Sequence, residues 1–498
     1  MDNFNQIITG LHATLRDVLV LLDRHAQGVV FICDDAGKLV GVLTDGDVRR
    51  ALIQGASLDD WVAGYLNSNF VAGSTTVDES ENIRLLSNKI RCLPVLDPAG
   101  RPVRMLRWAD LFRLPIMEPT LKGNEFAYVT DCLATNWISS QGGYVDRFQQ
   151  CFADYHQTSH ALCVANGTVA LHLALAALGV GPGDEVIIPD LTFVSPASMT
   201  LLCGATPVFA DVDRHTWTVL PEEIEKRVSP RTRAIIPVHL FGHPCDMEPI
   251  LAIARRHNLF VIEDCAEALG AEYEGQRVGT FGHVGTFSFF ANKVITTGEG
   301  GMVITRDPEL HRKMQLLRDH GMTREKRYWH QVAGFNYRLT NIQAAIGLAQ
   351  MERIDAILAY RETVVERYSL QLTSVPGIAL PAWPANGRNI HWLYSITIDE
   401  TRSGIDRNHL MAQLASYGID TRPFFYPLHC QPPFPDEAGH SFPNAEWLAE
   451  HGISLPTSND IRLEDVDRVC AAIRSIIEDS AAIYEHGFIN QKLNTGAP

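Results

Sequence analysis

Between residues 160 and 305, short and wholly apolar runs alternate with helix-patterned ones. No other feature constrains the fold as strongly. "HALCVA" precedes "TVALHLALAALG", "EVIIP" precedes "ASMTLLCG", and "TPVFADV" and "RAIIPVHL" follow. "MEPILAIARRH" leads into "FVIEDCA", then "GTFSFF" and "GMVITR". Strands apolar on both faces must be covered on both faces, which is the pattern of an α/β fold with a mostly parallel central sheet. Beyond about residue 372 the pattern changes to short strands and two or three helices, read as a small C-terminal α+β subdomain.

Four features fall at the ends of these runs, where open α/β sheets place their ligands. In "VANGTVAL" a strand stops at Ala165, Asn166-Gly167 turns the chain, and Thr168 opens a helix. The exposed N–H groups and the dipole of such a helix favour a phosphate, although Asn-Gly-Thr is also a common strand-to-helix turn. Phe193 in "PDLTFVSPAS" is a core plug or, beside a flat ligand, a stacking platform. "VIEDCAEALGA" ends a strand on Glu263-Asp264, and Asp264 is a helix cap or a carboxylate that a buried cation meets. In "FSFFANKVITTGEGGMV", Lys293 lies just beyond the strand carrying Ser288, and lysines are rarely interior unless paired or chemically used.

Together the four describe a pyridoxal 5'-phosphate (PLP) site. The phosphate falls on Gly167, Thr168 and Ser288, Phe193 covers one ring face, and Asp264 holds the pyridine nitrogen protonated. Lys293 carries the cofactor covalently and moves the proton. Lys293 and Asp264 are therefore the catalytic candidates. No metal is expected.

Residues from about 118 to 480 resemble the DegT-type nucleotide-sugar aminotransferases, a branch of the fold-type I PLP enzymes. The resemblance is carried by "NWISSQGGYVDRF", "NGTVALHLAL", "GDEVIIPDLTFV", "IIPVHLFGHPCDM", "VIEDCAEALGA", "GTFSFFANKVITTGEGGM", "GFNYRLTNIQAAIGLAQ" and "RPFFYPLH". It implies the same roles for Lys293, Asp264, Gly167, Thr168, Ser288 and Phe193. It adds Asn336 of "GFNYRLTN", reaching the phosphate from the neighbouring subunit of a homodimer, and Glu267 as a cofactor contact. An acid at 267, with "RYWH" and "RPFFYPLH", is similar to the GDP-perosamine synthase branch. The function implied is transamination of an NDP-4-keto-6-deoxyhexose, the GDP-linked mannose derivative, with L-glutamate as donor. The sugar-dehydratase branch has histidine where this chain has Lys293, so transamination is favoured over dehydration. Arg338 and Arg422 are the candidates for the donor's carboxylate. The alternatives are amination of a UDP-linked 4-keto-N-acetylaminosugar, or a nucleotide-sensing regulatory protein with a vestigial aminotransferase fold.

The first 115 residues hold an internal repeat. "GVVFICDDAGKLVGVLTDGDVRRAL" reads as strand, Asp-Asp-Ala-Gly turn, strand and a helix beginning near Asp45. "IRCLPVLDPAGRPVRMLRWADLF" repeats that plan, with a helix around Asp110. The pair resembles a tandem cystathionine-β-synthase (CBS) module, whose Gly-h-h-Thr-x-x-Asp stretch holds an adenosine ribose. "GVLTDGD" matches it and implies an adenine or guanine nucleotide at Thr44 and Asp47. The second copy has Arg107 in place of the threonine and keeps only Asp110. A packing or dimerisation element is the equal alternative. "RLPIMEPTLKG" reads as the linker, giving domains 1–116, 117–372 and 373–498.

Composition narrows the partners. The 42 basic and 58 acidic residues give a net charge of −16 with no basic run, which argues against nucleic-acid and anionic-membrane surfaces. Ten scattered cysteines without a C-x-x-C pair, and no signal or spanning segment, place the chain in the cytoplasm as an expectation.

Overall fold

The computed structural model describes residues 3–25, 28–87, 90–108, 113–323, 325–384, 387–434 and 440–494, with residues 3, 5, 80 and 481–494 as backbone alone. Asp110 lies outside the described residues. Two compact units divide the chain: Met1–Leu114 with His409–Asp420, and Pro115–Asn408 with Thr421–Pro498.

The N-terminal unit contains two copies of one three-stranded motif. β1 (Ile8–Gly10) pairs in parallel with β2 (Val29–Cys33), which returns antiparallel as β3 (Leu39–Thr44). α1 (Leu15–His25) connects the first two strands, and α2 (Asp45–Ile53) follows the third. In the second copy β4 (Gly73–Ser74) runs parallel to β5 (Cys92–Leu96), and β5 returns antiparallel as β6 (Pro102–Arg107). The two hairpin turns are built alike. Asp34 Oδ1 accepts from the N–H groups of Ala36 and Lys38, and Asp97 Oδ1 accepts from those of Ala99 and Arg101. Gly37 and Gly100 take φ of 78° and 80°, where a side chain would be strained. Turn chemistry is what made the repeat readable.

The second unit is built on a seven-stranded sheet. Its strands are β7 (His160–Val164), β8 (Glu185–Pro189), β9 (Thr206–Ala210), β10 (Thr232–Ile235), β11 (Phe260–Asp264), β12 (Val284–Ser288) and β13 (Gly301–Thr305). Their order is β7-β13-β12-β11-β10-β8-β9, and only β13 runs against the others. The sheet interior is buried on both faces, as its continuous apolar runs require. α3 (Gly167–Leu178) and α4 (Ser195–Leu202) begin just past the ends of β7 and β8. A smaller antiparallel sheet follows, of β14 (Ile378–Ala379), β15 (Tyr394–Ile398), β16 (Arg422–Pro423) and β17 (Gly452–Leu455), ordered β14-β15-β17-β16. Among the described residues no helix is long and apolar enough to cross a membrane, and no disulfide joins the cysteines.

One buried cation fastens the small sheet's entry strand. Arg361, on α5 (Ile354–Leu372), is 1% exposed and faces no carboxylate in its hydrogen-bond set. Its guanidinium donates to the carbonyls of Ile390, His391, Trp392 and Thr457 and to Asn459 Oδ1. Asn459 Nδ2 in turn donates to Val294 O at 2.7 Å, beside Lys293. Arg361→Met strands four buried carbonyls. It is expected to lower unfolding stability by at least about 3 kcal/mol, read as a fall in the urea midpoint. A loss under about 1 kcal/mol would show that water takes over these contacts.

Candidate active site

The two adjacent acids at the end of β11 have opposite environments, because successive strand residues face opposite sides of the sheet. Glu263 is fully buried and saturated. Its Oε1 accepts from the N–H groups of Phe281 (2.8 Å) and Gly282 (2.6 Å), and Oε2 from Gly279 N–H (2.7 Å). His239 Nδ1 accepts from Cys245 N–H (2.9 Å), so its proton sits on Nε2, which donates to Glu263 Oε2 at 3.2 Å. His239, Glu263 and Cys265 cluster closely enough to suggest a metal site. Every lone pair aimed inward by Glu263 already meets an N–H, so the cluster is a clamp on the 279–282 loop.

Asp264 faces the other way. Its Oδ1 accepts from Ala266 N–H at 3.0 Å, the one hydrogen bond found for this carboxylate among the described residues. Burial pushes its carboxyl upward, and the Ala266 N–H and the nearby Lys293 pull it back. Lys293 is its buried counterpart, with a side chain 13% exposed. Its Nζ lies 3.5 Å from Glu267 Oε1 and 3.7 Å from the centroid of the Trp392 ring. Burial pushes the ammonium down from its ordinary range, while Glu267 and Asp264 act to hold it charged. Glu267 is itself raised by burial, and its Oε2 accepts from Phe241 N–H at 3.0 Å. Two buried acids thus bracket one buried amine, the arrangement that shifts ionisations at reacting centres.

The phosphate candidates converge as well. Asn166 caps α3 by accepting from Val169 N–H, leaving the first N–H groups of the helix, at Gly167 and Thr168, without intrahelical acceptors. A Cβ placed on Gly167 would lie 2.8 Å from Ser288 Cβ, so the helix start presses directly against the end of β12. Thr168 Oγ1 meets Ser195 Oγ at 2.8 Å, bringing in the start of α4, which the sequence reading missed. Phe193 is 52% exposed and lies edge-on to Phe425 at 5.9 Å. Its loop is tied to the 424–430 segment through Asp190, which accepts from His429 N–H (2.9 Å) and meets His429 Nδ1 (2.6 Å). Asn336 accepts from Arg338 Nε within its own chain, and Arg338 pairs with Asp319 at 2.9 Å. In the N-terminal unit Thr44 and Asp47 cap α2 reciprocally, and Arg50 Nη2 donates to Asp47 Oδ1 at 2.5 Å.

These residues fit PLP: a helix start and two hydroxyls for phosphate, a buried carboxylate with acceptor capacity to spare, and a desolvated amine. A buried acid–amine pair at the strand ends of such a sheet defines a fold-type I PLP-dependent transferase. Residues 119–474 match the DegT/DnrJ/EryC1/StrS aminotransferase family, and the chain belongs to it. Residues 7–54 match the CBS domain. A protein named GDP-perosamine synthase from Caulobacter vibrioides is 48% identical over 370 residues, which cover 74% of this chain and 100% of that protein. One of the same name from Escherichia coli O157:H7 is 44% identical over 366 residues, covering 74% and 99%. The PLP form of a putative sugar aminotransferase, Spr1654 from Streptococcus pneumoniae, superimposes with a TM-score of 0.69 at 28% identity, covering 74% and 100%. The chain is a sugar aminotransferase of a family that uses PLP.

Replacing Glu263 by glutamine swaps an acceptor for a donor facing backbone N–H groups. Glu263→Gln is expected to cost about 2–4 kcal/mol of stability, with or without a chelator. If the parent protein's thermal midpoint fell on chelation, the cluster would be a metal site after all.

Proposed function

We propose that this chain transfers the amino group of L-glutamate to C4 of an NDP-4-keto-6-deoxyhexose, converting GDP-4-keto-6-deoxymannose to GDP-perosamine. The observation that supports the chemistry best is Asp264. It is a buried carboxylate on the opposite sheet face from a saturated neighbour, electrostatically coupled to a desolvated lysine. The GDP-sugar preference rests on similarity to two proteins named GDP-perosamine synthase.

Bound PLP supplies an electron sink for the bonds at the amine-bearing carbon. In this reading the chain's residues do the rest. Gly167, Thr168 and Ser288 hold the phosphate, with Ser195 orienting the threonine hydroxyl. Phe193 covers one face of the ring. Asp264 keeps the pyridine nitrogen protonated, and Glu267 fixes the amine of Lys293. Lys293 holds the cofactor, and once free takes the proton from the donor's carbon and returns it one position away. Its lowered proton affinity suits a base at neutral pH.

We also propose that the enzyme is a homodimer in which Asn336 completes the partner's phosphate site. Phe126 (85% exposed) and Trp137 (57%) are apolar surface that such a contact would cover. Domain limits of 1–116, 117–372 and 373–498 go with this reading, as does a cytoplasmic location. The N-terminal unit binds an adenine or guanine nucleotide at Thr44 and Asp47, whose reciprocal cap would open to a ribose diol. Calorimetry on the full chain, with Asp47→Ala as control, checks that binding, and absence of heat at millimolar nucleotide leaves the pair a helix cap.

Mass spectrometry of products separates the substrate readings. GDP-4-keto-6-deoxymannose with L-glutamate is expected to yield the amino sugar, and a UDP-linked 4-keto-N-acetylaminosugar to yield little. Amination of the UDP-linked sugar alone would overturn the substrate assignment and leave the chemistry standing.

A further inference from the structure

Lys293 touches one group that none of its assigned roles requires. The indole of Trp392 lies face-on beneath Nζ, 3.7 Å from the ring centroid. That separation is inside the range in which a ring quadrupole attracts a cation, and attraction is strongest for indole and for desolvated charge. Both the ring and its backbone are held. Its Nε1–H donates to Asn292 O at 2.6 Å, next to the lysine in sequence. Its backbone N–H donates to Phe241 O at 2.9 Å, and the Phe241 ring stacks on it at 6.4 Å and 18°. Its carbonyl is one of those held by Arg361. Its two chain neighbours are restrained as well: His391 sits at φ 45°, and His391 and Leu393 are 3% and 5% exposed. Held in this way, the indole presents one face to the amine.

We propose that Trp392 is a positioning residue for the transamination: its indole face holds the amine of Lys293, together with Glu267, whenever that amine is not joined to the cofactor. The inference rests on the reading of Lys293 as the cofactor's lysine and deepens it. During turnover the lysine must leave the cofactor, stay within reach of the donor's carbon, and give up a proton when needed. Glu267 meets the amine through a single oxygen at 3.5 Å, a long contact that leaves its position loosely set. Burial alone would favour the neutral form and leave it without a fixed position. The indole adds attraction without an acceptor atom, so it orients the ammonium and offers no oxygen to which the amine could lose its proton. The charged groups that face this amine are Glu267 and Asp264. Behind them His239 is hydrogen-bonded to Glu263, and Arg361 is committed to carbonyls. His391, on the same segment as Trp392, is held neutral by burial, pushed down to about 3.

The test varies the ring's quadrupole while keeping its shape. Tryptophan and its mono-, di- and trifluoro analogues are placed at position 392 of the full chain by nonsense suppression, and the cofactor is removed. The pH dependence of the rate at which each protein captures PLP covalently reports the ionisation of the Lys293 amine. A cation on the indole face is stabilised in its charged form, so weakening the face lowers the pH of half-maximal capture. The expected result is a graded fall across the series, speeding capture at fixed pH below the midpoint by about threefold to tenfold in total. Trp392→Phe, with a weaker but present face, is expected to fall within the series. A midpoint that is constant, or that rises with fluorination, overturns the proposal. Lys293→Ala is the control for the underlying reading: covalent capture persisting in that variant would show that another amine binds the cofactor. Capture lost in the control but insensitive to fluorination would remove only the role of Trp392.

Discussion

The structure depends on keeping one ammonium out of water. An isolated buried charge costs several kcal/mol, so Lys293 is tolerable only because two carboxylates and an aromatic face surround it. The sheet supplies that company by geometry. β11 ends on Asp264, β12 ends five residues before Lys293, and Glu267 lies one turn of chain beyond β11. Removing the cation would leave Asp264 and Glu267 as two buried acids that raise each other's proton affinity. The same desolvation that makes the amine costly also makes it a usable base.

Much of this was legible in the sequence because it depends on local chemistry. The Asn166-Gly167-Thr168 turn, the Asp264/Lys293 order and the seven apolar runs each follow from strand periodicity and helix capping. The N-terminal repeat was legible for the same reason, since an aspartate accepting from N–H groups two and four residues on writes the same turn twice. Trp392, Arg361 and Ser195 were not legible. Trp392 meets Lys293 across 99 positions of chain (392 − 293), and no local pattern marks that contact. Arg361 looks in sequence like any helix arginine, and only the closed small sheet reveals the four carbonyls it serves. Glu263 and Asp264 show the converse: adjacent acids identical to composition are separated by the pleat into a clamp and a free-facing carboxylate. Thr44 and Asp47 show a third case, since a hydroxyl and a carboxylate three residues apart serve equally to cap a helix and to hold a ribose.

Net charge sharpens the role of the backbone. A net charge of −16 disfavours anionic ligands in general, so the phosphate of a cofactor must be held by local dipoles. The starts of α3 and α4, joined through Thr168 and Ser195, supply those dipoles without any basic side chain among the proposed phosphate contacts.

The central claim is that the cofactor is carried on the amine between Asp264, Glu267 and Trp392. Reducing the PLP-loaded protein with borohydride fixes the cofactor to its lysine irreversibly, and proteolysis with mass spectrometry then locates it. The modification is predicted on the peptide containing Lys293, with every other lysine unmodified. Stoichiometric modification of a different lysine, with Lys293 unlabelled, would contradict the account.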